Sequence, residues 1–220
     1  MHFLVTMTKL CIVRAERDAL RIAGRAPMRT VRAGALAGIY AHPGPQLAIL
    51  TRRGVMHRLA HGIYCAVPPE HVGGEWRPTT EAATAAVATV LYGDRVPVLT
   101  GLTAARLHRA LPRAIGAGYV AVPTQRRPLQ LADRDAEVRF VMRAVVALDA
   151  VLVQTDLGPT LATTIEQTLL DLARTDPHGV DLDAQEAVDA LWQQADPEVL
   201  DEIAGHQRMR ATLDRVAASR

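Results

Sequence analysis

The spacing of apolar residues changes period along the chain, and each change predicts an element. Residues 10–24, "LCIVRAERDALRIAG", place Leu10, Val13, Arg17 and Leu20 at near-helical spacing, with Gly24 as a C-terminal stop. "TVRAGALAGI" follows. Thr30 is a suitable N-cap, and Val31, Ala35 and Leu36 give a short apolar stripe, so a second helix is expected there. "YAHPGPQ" is a turn by its Pro and Gly content. "PQLAILTRRG" then predicts a short helix with Pro45 at its first position and Gly54 closing it. Leu47 and Leu50 would face inward, and Gln46, Ile49, Arg52 and Arg53 outward. Beyond Gly54 the runs "VMHRLAH" and "GIYCAV" flank His61-Gly62 and predict a β-hairpin.

Helix, helix, turn, helix and hairpin is the order of a winged helix-turn-helix. In that fold the last helix enters the major groove, and the hairpin, the wing, lies along the backbone or the minor groove. Residues 70–78, rich in Pro and Gly, predict a linker between a DNA-binding domain (1–69) and a C-terminal domain (79–220). In the second domain a helix opens at Thr79 or Thr80. "VPVLTGLTAARLHRALP" reads as a strand and a helix closed by Pro112. "GYVAVPTQRRP", "EVRFVMRAVVAL" and "VLVQTDLG" read as strands, and "TLATTIEQTLLDLART" as one helix with a Leu161–Ile165–Leu169–Leu172 stripe. Two more helices are expected near 183–195 and 197–217. The fold class is therefore α+β: a winged helix-turn-helix followed by a mixed α/β domain with a helical C-terminus.

Charge sharpens this division. Residues 1–77 carry 11 Lys and Arg against 4 Asp and Glu, a charge of +7, and residues 78–220 carry 14 against 19, a charge of −5; together they make the +2 of the chain. A basic module joined to an acidic one favours a phosphate-bearing partner for the first, because each neutralised phosphate releases counterions. The candidate DNA contacts are Arg29 and Arg32 beside Thr30, Gln46 on the recognition helix, Arg52 and Arg53 at its end, and His57, Arg58 and His61 on the wing. The arginines suit phosphates, which orient a protein without reading sequence.

Other chemistry is poorly provided for. The only serine is Ser219 and the only lysine is Lys9, so neither a Ser-His-Asp hydrolase nor a Walker A lysine is expected. His57 and His61 share a strand face without a third ligand, so no metal is expected, and no cofactor motif is present. Glu166 and Asp171 lie five apart on a helix and point in different directions, which argues against paired catalytic acids; solvated acids beside a Leu stripe is the simpler reading. Cys11 and Cys65 have no metal-ligand spacing. With no signal peptide or membrane span read from the sequence, they suggest free thiols in a cytoplasmic protein.

"RRGVMHRLAHGIYCAV" resembles the wing of AbiEi-type antitoxins, and "LTGLTAARLHRALP" and "IEQTLLDLAR" resemble two signatures of that family's second domain. Together these cover most of residues 28–175. The resemblance implies an antitoxin that represses its own operon by binding promoter repeats. It also implies that the second domain counteracts a nucleotidyltransferase-like toxin encoded beside it, by a mode that is not uniform among members. Glu166 and Asp171 are the residues it offers for neutralisation. Two departures stand out: Pro43-Gly44-Pro45 replaces the usual Ser or Thr cap, leaving Gln46 as the main polar base-reading candidate, and Gln167 replaces a Lys. The alternative from the same basic half is a winged-helix regulator that responds to a small ligand and has no toxin partner. A nuclease with a DNA-targeting head would need a clustered acidic metal site that the sequence does not show.

Overall fold

The computed structural model describes residues 2–219, with side chains from Val13 onward. Among them eight α-helices and two β-sheets form a mixed α+β fold, and no helix is long and apolar enough to cross a membrane.

Helix α1 (His2–Arg25) leads through a 3-10 turn (Pro27–Arg29) into β1 (Thr30–Arg32) and a second 3-10 turn (Ala33–Leu36). Helix α2 (Pro43–Arg52) and the hairpin β2 (Met56–Ala60) and β3 (Ile63–Ala66) follow. The three strands form an antiparallel sheet in the order β1-β3-β2. The helix expected from Thr30 is thus a strand and a single 3-10 turn. Thr30 pairs with Cys65 and Val31 with Tyr64, so the free edge of β3 decides the conformation of a β-branched pair. The Thr30 hydroxyl donates to the Met28 carbonyl at 2.6 Å and caps no helix. On α1 the inward face differs from expectation: Ala19 and Ala23 are buried, whereas Val13 and Arg17 are exposed. Helix α2 begins at Pro43, two residues before the expected Pro45, since both prolines fit a first turn whose N–H groups lack intrahelical acceptors. Gly54 closes it with φ +67, and a Cβ there would press on the Gly73 backbone at 3.2 Å.

Helix α3 (Thr80–Tyr92) is capped by the Thr79 side chain, which accepts from the Ala82 amide. Its residues from Glu81 to Thr89 are all buried. One side packs on Leu59, Ala60, Ile63 and Cys65 of the first sheet, the other on Leu99, Val120, Val122 and Phe140 of a second sheet, in one continuous cluster. Gly118 sits so close that a Cβ would collide with the Thr84 side chain. Burial pushes the free Cys65 thiol up to about 12, which leaves it protonated and inert.

The second sheet has the order β6-β7-β5-β4-β9-β8. Its strands are β4 (Val98–Leu99), β5 (Ala117–Val122), β6 (Leu129–Gln130), β7 (Glu137–Met142), β8 (Ala150–Thr155) and β9 (Gly158–Thr163). Pairs β5/β7 and β4/β9 are parallel and the others antiparallel. Helices α4 (Gly101–Leu107), α5 (Ile165–Thr175), α6 (Leu182–Trp192), α7 (Pro197–His206) and α8 (Arg210–Ala218) build a separate cluster around Leu111, Leu169, Leu170 and Leu191. The helix expected from residue 160 starts only at Ile165, capped by Thr164. Residues 158–163 are strand β9, whose Leu161 pairs with both Leu152 and Val98. Helix α4 stops at Leu107, before Pro112, and the last expected helix breaks between α7 and α8, where Arg208 has φ 57 and Met209 turns inward.

The expected linker is strapped down. Trp76 is half-buried, stacks on His71 at 5.8 Å and meets His57 edge-on at 6.0 Å. Asp156 accepts the Thr79 amide at 2.8 Å, and Arg134 donates to the Pro78 carbonyl. Beyond it, Ala132 donates to the Leu59 carbonyl at 2.9 Å and the His57 ring lies 2.9 Å from Asp133. Burial pushes the Asp133 carboxyl up, but hydrogen bonds and charge from His57 and Arg134 outweigh it and hold the carboxyl well below the usual range. A depressed carboxyl stabilises the fold above its unfolded pKa, and that stabilisation fades as the pH falls through the folded value. Asp133→Asn is therefore expected to destabilise the protein by about 1.5–3 kcal/mol at neutral pH. Urea denaturation of both proteins across a pH series should show that gap narrowing as the pH falls below about 4.

Candidate nucleic-acid interface

Helix α2 turns Leu47 and Leu50 into the core because they lie three apart on one face. The same geometry leaves Gln46, Ile49, Arg52 and Arg53 exposed, and the helix contains no acidic residue. The hairpin places a second basic group. Gly62, at φ +71, makes the tight turn, and His61 beside it is exposed. Arg58 is exposed on β2 with its guanidinium 3.3 Å from His61 Nδ1. Arg32 pairs with Ile63 across β1 and β3, and Ala33 donates to the Gly62 carbonyl at 2.9 Å, so Arg32 stands at the same end of the sheet as the turn. Among the described residues, Arg32 and Arg52 make no ion pair.

Three of the expected contacts are committed elsewhere. Arg29 is half-buried and donates to the Ala66 and Val67 carbonyls at 3.3 and 3.4 Å, tying down the end of β3. His57 faces Asp133 and Trp76, not solvent, because β2 is covered by the second sheet's loop; it does not share an exposed face with His61. A register shift between Arg58 and Ala60 also breaks the alternation that suggested it would. Arg53 is exposed but ion-paired with Glu16 of α1 at 2.5 Å. Five of the eight residues, Arg32, Gln46, Arg52, Arg58 and His61, remain on the surface with no acidic partner.

The two acids of the second half are separated by the fold. Glu166 accepts the Asp196 amide at 3.0 Å and so fixes the start of α7. Asp171 is not solvated: it is 4% exposed and takes Arg143 Nη1 on its Oδ1 at 3.1 Å. Gln167, which stands where the resembled family has a Lys, is fully buried, accepts the Asp149 amide and pairs with Gln207. Sequence reasoning missed one basic feature. Arg14, Arg17, Arg21 and Arg25 are all exposed on α1, and their spacing puts them in one stripe opposite Ala19 and Ala23. The signal was the arginine spacing itself, obscured by taking Arg17 for a core-facing position. Among the described residues no group of His, Cys, Asp and Glu is arranged to hold a metal ion.

No family model matches the chain, and no curated protein matches it. Among solved structures, the chain is similar to the crystal structure of the RV2827C protein from Mycobacterium tuberculosis, with 20% identity and a TM-score of 0.53 over 92% of this chain and 76% of that one. At that identity the likeness is one of fold, and it extends across both halves of the chain.

Proposed function

We propose that the chain is a DNA-binding antitoxin that represses its own promoter and counteracts a nucleotidyltransferase-like toxin. The N-terminal elements run helix, strand, 3-10 turn, helix, hairpin. We read them as a winged helix whose second helix is reduced to one turn, with α2 as the recognition helix and β2–β3 as the wing. The observation that carries this reading is the surface of α2 and the hairpin tip. Gln46, Ile49 and Arg52 point outward from an acid-free helix, and Arg32, Arg58 and His61 gather at the turn without a carboxylate. Arginines with no internal partner suit phosphate contact, and Gln46 is the side chain with the donor and acceptor pair that base reading needs. The toxin half of the proposal rests on the resemblance of the second-domain motifs alone. A second reading, a regulator that senses a small molecule, is favoured by a cavity of about 220 Å³ beside Asp171 in the second half.

Because one cluster joins the first sheet to α3, cutting the chain before Thr79 would expose Leu59, Ile63 and Cys65, so point variants test the reading more cleanly than truncation. Arg52→Glu with Arg58→Glu should weaken binding to promoter and random DNA alike. The slope of log affinity against log salt should flatten by about 0.9 for each phosphate that is no longer neutralised. Gel shifts at ~100 mM salt that show no preference for the promoter would remove the repressor half. Gln46→Ala should instead leave random-DNA binding unchanged and reduce promoter discrimination by about 1–3 kcal/mol. Co-expression with the neighbouring nucleotidyltransferase-like toxin decides the other half: restored growth supports the antitoxin, and no rescue by soluble protein leaves the ligand-sensing regulator as the reading.

A further inference from the structure

A cavity of about 220 Å³ opens where the start of α4, strands β5 and β7, helix α5 and the start of α6 meet. Two stretches singled out in the sequence converge there without a role in DNA binding. "LTGLTAARLHRALP" contributes Thr100, Gly101 and Leu102, and "IEQTLLDLAR" contributes Asp171 and Leu172. Tyr119 and Ala184 complete a largely apolar wall.

Within this wall one polar group is unsatisfied. Asp171 is 4% exposed, and its Oδ1 is held by Arg143 at 3.1 Å and by Arg174 at 3.5 Å. Its Oδ2 is buried and has no hydrogen-bond partner among the described residues. A buried carboxylate oxygen without a donor is costly, and such oxygens in folded proteins are nearly always met by a donor. The surrounding charge favours a donor that is also a cation. Asp176 and Asp181 line the same cavity. Asp176 accepts the Val180 and Asp181 amides and a side-chain hydrogen bond from Gln185, with His178 nearby, and Asp181 accepts the Asp183 and Ala184 amides; neither carboxylate has an ion-pair partner among the described residues. Three carboxylates thus stand against Arg143 in the wall and Arg174 beside it. Thr100 offers a further acceptor, because its hydroxyl makes no cap bond to α4.

Size limits the guest. The volume exceeds the ~150 Å³ of an apolar cavity that takes benzene and falls short of the ~300 Å³ at which drug-sized sites begin. One ring, or a chain of comparable bulk, fits with a head group.

We propose that this cavity binds a small organic cation with an amidine, guanidine or amine head, the head donating to Asp171 Oδ2 and the body lying among Leu102, Tyr119 and Leu172. A carboxylate or phosphate ligand would meet Asp171, Asp176 and Asp181 and is rejected. The site is independent of the DNA reading: its residues lie on the second half alone, and failure of promoter binding leaves it standing.

Titration calorimetry and amide NMR on the full chain test it, with benzamidine and agmatine as cationic probes and benzoate as a size-matched anion. Saturable binding of at least one cation is expected, with shifts centred on residues 100–102 and 171–172, and none with benzoate. Asp171→Asn should weaken it by about tenfold or more, since the ion pair to the ligand is lost. Asp171 also anchors Arg143, so Ala184→Met provides a second arm: it fills the cavity without touching that pair and should abolish binding while the circular dichroism spectrum is unchanged. Absence of saturable binding by both cations overturns the proposal. So does benzoate binding as well as benzamidine, or cation binding that survives both variants. A crystal grown in saturating benzamidine with only water at Asp171 Oδ2 overturns it too.

Discussion

Helix α3 is buried between two sheets, and Ala82, Ala83, Ala85, Ala86 and Ala88 let both approach it closely, because side-chain size sets the packing distance. The close approach is tightest at Thr84, where Gly118 of β5 has no side chain to intervene. Thr84 turns its hydroxyl back onto the Thr80 carbonyl at 2.7 Å, so the one polar group on that face needs no external partner. Two further buried polar side chains lie on α3: Thr89, and Glu81, which is 4% exposed and ion-paired with Arg106 of α4. With α3 in place, the first sheet has a covered face and the second sheet a floor. Without it, neither the hairpin's Ile63 nor the strand residues Val120 and Val122 have a partner.

This constraint changes what the basic hairpin can be. A wing that stands free can use both of its faces, but here one face of β2–β3 is sealed by α3 and by the loop carrying Ala132 and Asp133. Only the turn and the outward Arg58 project. The position of α2 is fixed by a separate cluster on the other side of the hairpin, where Leu47 and Leu50 pack with Met56, Tyr64 and Ala19 of α1. Pro43 and Pro45 restrict the first turn of the helix further, because each sets its own φ.

Much of the architecture was legible in the sequence where local pattern and tertiary context agree. The hairpin at His61-Gly62, α2 with Leu47 and Leu50 inward, and α3 behind its Thr79 cap all follow from periodicity and turn chemistry. The failures occurred where partner strands decide. Thr30-Val31 and residues 158–163 carry β-branched residues beside helix-compatible ones. They become strands because β3, and β4 with β8, present edges to them. Pro and Gly mark a turn-rich path at residues 70–78 without saying whether it is packed, and Trp76 is the residue that packs it. An alanine-rich helix without a polar face also signals burial on all sides, which would have shown that residues 1–69 and 79–220 share a core. Of the candidate site, the exposure of Gln46 and Arg52 follows from helix phase and that of Arg58 and His61 from the hairpin, whereas Arg32, expected beside a helix cap, is exposed on strand β1 instead. The commitments of Arg29, Arg53 and His57 were not legible, since their partners lie 37, 37 and 76 residues away.

Arginine pairing differs in degree between the two halves: among the described residues Arg21 and Arg53 are the two of ten with a carboxylate partner in residues 13–77, against seven of thirteen in residues 78–219. In the second half Arg106, Arg113, Arg134, Arg139 and Arg143 each have a carboxylate partner. Their charge is spent on holding elements together. In the first half Glu16 and Asp18 engage Arg53 and Arg21, while Glu70 and Glu75 make no ion pair with the arginines of α2 or the hairpin among the described residues. Arg32, Arg52 and Arg58 therefore keep unneutralised charge on one small module. Mutual repulsion of that kind lowers the stability of a compact state and contributes nothing to its packing. It is relieved when a polyanion lies along the module, and the same charge then speeds the encounter and makes it salt-dependent. On the proposed reading, the arrangement costs the free protein stability and is favourable in the complex with a polyanion.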